Sequence, residues 1–195
     1  MDQMADDVAA LLDALGLKGK VAIAGIAVGG AIAIHFAARH ASRTAALIPM
    51  GPAVGMPPER RQATAAAADA MEKNGVRATI DASVGPTYPP ILRTDMARYD
   101  RVKAQRLGND PASYAAIYRM LNAMELSADY AKITCPTLII AGRHDGLRPP
   151  AVVEPLAKLI DGAEVEVLDT AHFMSQQTPE LVATTMTRFL EKIGC

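Results

Sequence analysis

A chain of 195 residues, 50% of them hydrophobic, is long enough for one domain with a sizeable core. Its net charge is −1 and it carries no basic block, which excludes nucleic acid and anionic membrane surfaces as expected partners. Two cysteines far apart and four scattered histidines give no disulfide framework, zinc pattern or His-Glu-x-x-His motif, so no metal or other cofactor is expected.

The first residues, Met1 to Asp7, are acidic where a secretory leader would be basic. The longest apolar run, Val21 to Ile34, has 14 residues with three glycines, too few to span a bilayer. A cytoplasmic protein is the expectation. From Met4 to Leu15 the apolar residues Met4, Val8, Leu11, Leu12 and Leu15 fall at helical spacing.

The most telling stretch follows. Val21 to Ala24 is apolar at every position, as in a parallel strand covered on both faces. It runs into Gly25-Ile26-Ala27-Val28-Gly29-Gly30 and then a helix in which Ala31, Ile34, Phe36 and Ala38 fit a buried face. This is the frame of a nucleophile elbow, Gly-x-Ser-x-Gly, with Ala27 at the serine position. Gly25 and Gly29 supply the small residues such a turn needs, and Gly30 adds room. The methyl of Ala27 cannot be deprotonated or form an acyl-enzyme. No substitute lies close by: Ser42 is at the far end of the helix, and Cys135 and Cys195 read as ordinary thiols. His35 and His40, on the same helix, read as satisfied core or surface residues.

A further strand spans Thr44 to Met50. Next, residues 55–131 form a helical insertion rich in alanine, arginine and methionine, introduced by Gly51-Pro52 and Pro57-Pro58. Asp110-Pro111 starts one of its helices. Met50, Met56, Met96, Met120 and Met124 could line an apolar pocket or simply pack. The remaining segments, 1–54 and 132–195, form the α/β core.

Thr137 to Gly142 reads as another buried strand, which puts Asp145 in a loop at a carboxyl end, where open α/β sheets place their sites. A helix over Pro150 to Leu159 and an alternating strand over Glu164 to Leu168 follow. His172 lies in the next loop. Thr178-Pro179-Glu180 starts a last helix with a cap residue, proline at the first position and an acid in the first turn. Its apolar face is Leu181, Val182, Met186, Phe189 and Leu190. The 27 residues from Asp145 to His172 hold one helix and one strand. Asp145 would orient the imidazole of His172, which would act as general base and then general acid.

In Gly25 to Gly30, Cys135 to Asp145 and Ala171-His172-Phe173 the chain resembles the α/β-hydrolase superfamily, and the likeness runs from about Ala5 to its end. The order of elbow, acid and histidine, each after its own strand, is that of the family. Asn109 to Tyr114 and the His172-Phe173 context look most like enol-lactonases and related carboxylesterase-like or carbon–carbon hydrolases. The resemblance implies an α/β fold: a mostly parallel sheet flanked by helices, with residues 55–131 as a cap over the active site. It also implies Ala27, Asp145 and His172 as the catalytic positions, with Ile26, Val28 and Phe173 around the oxyanion and substrate. The N–H of Val28 would be one oxyanion donor. Family members open with strands and a His-Gly-rich loop that supplies the second donor, and this chain is expected to lack both.

Three functions follow as expectations. The first is hydrolysis of a small ester, lactone or related carbonyl substrate by a Ser-His-Asp triad, impaired here by Ala27. The second is a ligand-binding pseudoenzyme, and the third a cofactor-free reaction driven by the His172–Asp145 base. The expected partner is a small molecule. Self-association is also expected, through an apolar strand edge at Val21–Ala24.

Overall fold

The computed structural model describes the backbone of residues 1–78 and 80–195; among these, the side chains of 78 and 81–83 lie outside the description. The chain divides into two compact units, one of residues 1–53 and 126–195 and the other of residues 54–125.

The first unit opens with helix α1 (Asp2–Ala14), strand β1 (Val21–Ile26), helix α2 (Val28–Arg39) and strand β2 (Thr44–Met50). After the second unit come the short helix α7 (Ser127–Tyr130), strand β3 (Leu138–Gly142) and helix α8 (Pro150–Ala157). Strand β4 (Glu164–Leu168), the single turn α9 (Met174–Gln177) and helix α10 (Pro179–Ile193) close the chain. The four strands lie in the order β1-β2-β3-β4, all parallel. Two βαβ crossovers, through α2 and α8, are short enough to join neighbouring strands directly.

The central strands are the most apolar. Every residue of β3 is buried, as is all of β2 except Ala45. On one face Ala46, Ile48, Met50, Leu138, Ile140 and Leu168 pack with Val182 and Phe189 of α10. Burying a side chain of this kind is worth about 1.5–3 kcal/mol. On the other face α2 packs against β1 and β2, and α8 against β3 and β4.

Strand β1 departs from the sequence reading. It extends through Ile26, and it is not covered on both faces: Ala22 and Ala24 are exposed. Alternation along a strand puts these alanines on the face of Ile26. Of that row only Ile26 reaches the cluster under α10. The outer edge of β1 pairs with no described strand.

Helix α1 also differs. Its expected apolar stripe is only partly buried: Met4, Val8 and Leu12 are half-buried and Leu11 and Leu15 stay 58% and 64% exposed, while Ala5, outside the stripe, is fully covered. Carboxylates hold the helix down instead. Asp6 pairs with Arg39 and His40, Asp13 with Arg43, and Asp2 with His35. The other ring nitrogen of His35 lies 2.6 Å from Asp129 of α7, so both histidines of the elbow helix are satisfied by carboxylates.

In the second unit helices α3 (Pro58–Asn74) and α6 (Pro111–Ala123) pack against each other, with α4 (Ile80–Thr87) and α5 (Met96–Leu107) between them in sequence. Asp110 caps α6 by accepting the N–H of Ser113 at 2.8 Å, and Pro111 takes the first helical position. Met96, a candidate pocket residue, is instead 53% exposed, whereas Met124 is buried. No described helix is long and apolar enough to cross a membrane.

Candidate active site

Ala27, Asp145 and His172 all follow the carboxyl ends of parallel strands, β1, β3 and β4. The strands are parallel, so the three loops rise from the same end of the sheet, those of β3 and β4 side by side and that of β1 one strand further along, beyond β2.

Ala27 caps the N-terminus of α2 at φ 52° and ψ −115°. Among the described residues it is the one non-glycine with positive φ. Such a conformation costs an alanine about 1–3 kcal/mol and persists only where the surroundings impose it. Here they do. The N–H of Ala27 donates to Met50 O at 3.0 Å, and its carbonyl accepts from Ala31 and Ala53 at 3.1 and 2.9 Å. Strand and helix meet so closely that a β-carbon on Gly25 would collide with the carbonyl of Gly29. One on Gly30 would lie 3.0 Å from Gly25 O and 3.1 Å from Pro52. Gly29, expected to be the second obligatory glycine, has open space where its β-carbon would be. The approach is made by its backbone, so the steric demand falls on Gly25 and Gly30.

Val28 opens α2, and its N–H, like the other first-turn donors, has no acceptor within the helix. Ile26 ends β1 beside Met50 of β2. Phe173 is half-buried, with its ring set edge-on to that of His172 at 5.4 Å.

The acid and the histidine meet. His172 Nδ1 lies 2.8 Å from Asp145 Oδ2. Asp145 is 2% exposed and His172 7%. The second carboxylate oxygen accepts the N–H groups of Leu147 and Arg148 at 2.8 and 2.9 Å. Burial works to raise the Asp145 pKa, but the His172 hydrogen bond and charge, with those two N–H groups, hold it below the ordinary carboxylate value. An ionised Asp145 fixes the proton of a neutral His172 on Nδ1 and leaves the lone pair on Nε2.

Several residues that build this pair were not singled out from the sequence. The N–H of Arg143 donates to Leu168 O, and that of His144 to Thr170 O, lacing the acid loop to the histidine loop. His144 Nε2 also lies 2.7 Å from Asp169 Oδ1. Gly142 lets the loops touch, since a β-carbon there would lie 2.9 Å from Thr170 O. Gly51, at φ 46°, leaves room for the carboxylate: its β-carbon would lie 3.2 Å from Asp145 Oδ2. Thr178 was expected to cap α10. Its side chain makes no cap bond and instead sits 2.8 Å from the hydroxyl of Thr170. Cys135 is half-buried and Cys195 exposed. Among the described residues, no group of three His, Cys, Asp or Glu side chains is arranged to hold a metal ion.

The parallel sheet, its flanking helices and the likeness to solved structures given below define an α/β-hydrolase fold. The chain belongs to the family described as serine aminopeptidase, S33, whose pattern matches residues 1–174. A 3-oxoadipate enol-lactonase from Acinetobacter baylyi is 26% identical over 194 residues, 99% of this chain and 72% of that protein. A thermophilic esterase from Thermogutta terrifontis superposes with a TM-score of 0.89 at 25% identity, over 97% of this chain and 71% of the other. The enol-lactonase of Burkholderia xenovorans gives 0.84 at 27%, over 97% of this chain and 72% of the other.

Proposed function

We propose that this chain carries the histidine and acid of a Ser-His-Asp site for hydrolysing a small ester, lactone or related carbonyl compound, with Ala27 in the nucleophile's place. The observation that carries this reading is the strained elbow conformation of Ala27, φ 52°, which a methyl group has no use for. A serine hydroxyl at that position would stand at the head of α2. The family description, which refers to a serine, and the names of the esterase and enol-lactonase relatives support it.

With a hydroxyl at position 27, Nε2 of His172 would take its proton as the oxygen attacks the carbonyl carbon. Asp145 would stabilise the imidazolium without taking the proton itself. The N–H of Val28 would donate to the developing oxyanion, one such donor being worth about 10²–10³ in rate. His172 would then protonate the leaving oxygen, and water would release the acyl group by the same steps in reverse order. Alanine has neither a lone pair nor an acidic proton, so no acyl-enzyme forms. Only binding and oxyanion effects remain.

A fluorophosphonate probe tests the reading through a covalent bond. The chain as it stands should remain unlabelled, and the Ala27→Ser variant should gain one adduct at position 27, slowed strongly by His172→Ala. Labelling of the Ala27 chain elsewhere in the site, or a folded Ala27→Ser variant that resists the probe, would argue against it. Tight binding of an ester that survives unchanged in both forms would favour a ligand-binding role instead. Turnover of an activated carbon acid by the Ala27 chain would favour the base-only reaction.

A further inference from the structure

We propose that Gln177 is a positioning residue for His172, acting through the backbone of Ala171. This rests on the reading of His172 as the catalytic base.

The residue before the histidine is fully buried: Ala171 is 0% exposed. Its N–H is out of reach of water and needs an acceptor. The acceptor is Gln177 Oε1, at 3.1 Å, on a side chain whose residue is itself 5% exposed. Gln177 can reach back because α9 makes one tight turn: the N–H of Gln177 donates to Phe173 O at 2.9 Å. That turn returns residue 177 beside residue 171. Thr178 does the same one step along, with its hydroxyl 2.8 Å from that of Thr170. The peptide unit between Thr170 and Ala171, just before His172, is therefore held at both its oxygen and its N–H. His144 holds the carbonyl of Thr170, and Gln177 holds the N–H of Ala171.

The consequence is geometric. The 2.8 Å contact between His172 Nδ1 and Asp145 Oδ2 tolerates only a few tenths of an ångström before it weakens. Without Gln177 the Ala171 N–H would be buried and unpaired, and the loop would shift to find water or another acceptor. A shift of about 1 Å in the imidazole is enough to cost about 100-fold in rate. Gln177 acts through its bond to the Ala171 N–H, by where that bond holds the ring.

The test uses the full chain and two substitutions. Gln177→Leu keeps the volume and removes the acceptor, while Gln177→Glu keeps an acceptor oxygen. In the chain with Ala27, low-field proton NMR reads the hydrogen-bonded Nδ1 proton of His172, assigned by its loss in Asp145→Asn. The resonance should persist in Gln177→Glu and vanish or broaden in Gln177→Leu. In the Ala27→Ser background the kcat for an ester should fall about 10–100-fold in Gln177→Leu with KM little changed, and recover in Gln177→Glu. An unaltered resonance in a folded Gln177→Leu chain, or equal loss in both variants, would overturn the proposal. If the Ala27→Ser background has no activity, the triad reading fails, yet the NMR comparison still decides whether Gln177 holds the ring.

Discussion

A β-carbon on Gly142 would lie 2.9 Å from the carbonyl oxygen of Thr170 and 3.0 Å from that of Ala171. The last residue of β3 thus touches the backbone of the loop that presents His172. Gly142→Ala should cost about 1–3 kcal/mol, because backbone must move to admit the methyl. Gly25→Ala should cost more, since its methyl meets the Gly29 carbonyl at closer range still. Gly29→Ala places a methyl in open space and should be neutral or stabilising by up to about 1 kcal/mol. Urea unfolding of the three variants gives the order. A Gly29→Ala chain as unstable as Gly25→Ala would contradict it.

Ala27 stores strain that glycine would not. Ala27→Gly places at φ 52° the residue type that visits positive φ freely. The relief of about 1–3 kcal/mol exceeds the extra chain entropy of glycine, about 0.5–1 kcal/mol. The variant should therefore unfold at higher denaturant than the parent, with the m-value unchanged. Equal or lower stability would mean that the surroundings do not force the elbow conformation.

Much of this site was legible in the sequence, for identifiable reasons. The apolar strand and glycines around Ala27 announce a strand-to-helix turn, Asp145 follows a short apolar run, and His172 follows an alternating strand. Other parts were hidden because their partners are backbone atoms. Gln177 and Gly142 act on the carbonyls and N–H groups of the 170–171 segment, and no side-chain pattern marks that. Helix α1 misled through periodicity. Its leucines have helical spacing, but the aspartates on its other positions pair with α2 and with Arg43 beyond it, leaving Leu11 and Leu15 exposed. An all-apolar β1 likewise read as covered on both faces, yet sequence does not say how far α10 reaches across the sheet.

Asp145 makes stability depend on pH in a set direction. Its folded pKa is depressed, so its contribution is fully present above the unfolded value of about 3.9 and is lost as pH falls through the folded value. Asp145→Asn cannot titrate. The stability difference between the parent chain and this variant should shrink as pH drops below about 4. Comparing the two cancels other depressed carboxyls such as Asp110, which the Ser113 side chain and N–H hold down. A difference that grows below about pH 4 would contradict the assignment.

Strand β1 leaves one edge unpaired among the described residues, and its exposed residues, Ala22 and Ala24, carry no charge. Such an edge is open to pairing with another chain. We expect concentration-dependent association in sedimentation velocity, reduced by Ala22→Lys. A monomer at every concentration would remove the expectation.

On the proposed reading, His172 and Asp145 would serve a nucleophile at position 27, where this chain has Ala27. Steady-state hydrolysis of a small ester and lactone panel by the Ala27→Ser variant tests it most directly. The account predicts a gain of at least about 10³-fold over the Ala27 chain, abolished when His172→Ala is added. A folded Ala27→Ser variant with no gain, or a gain that survives His172→Ala, would contradict it.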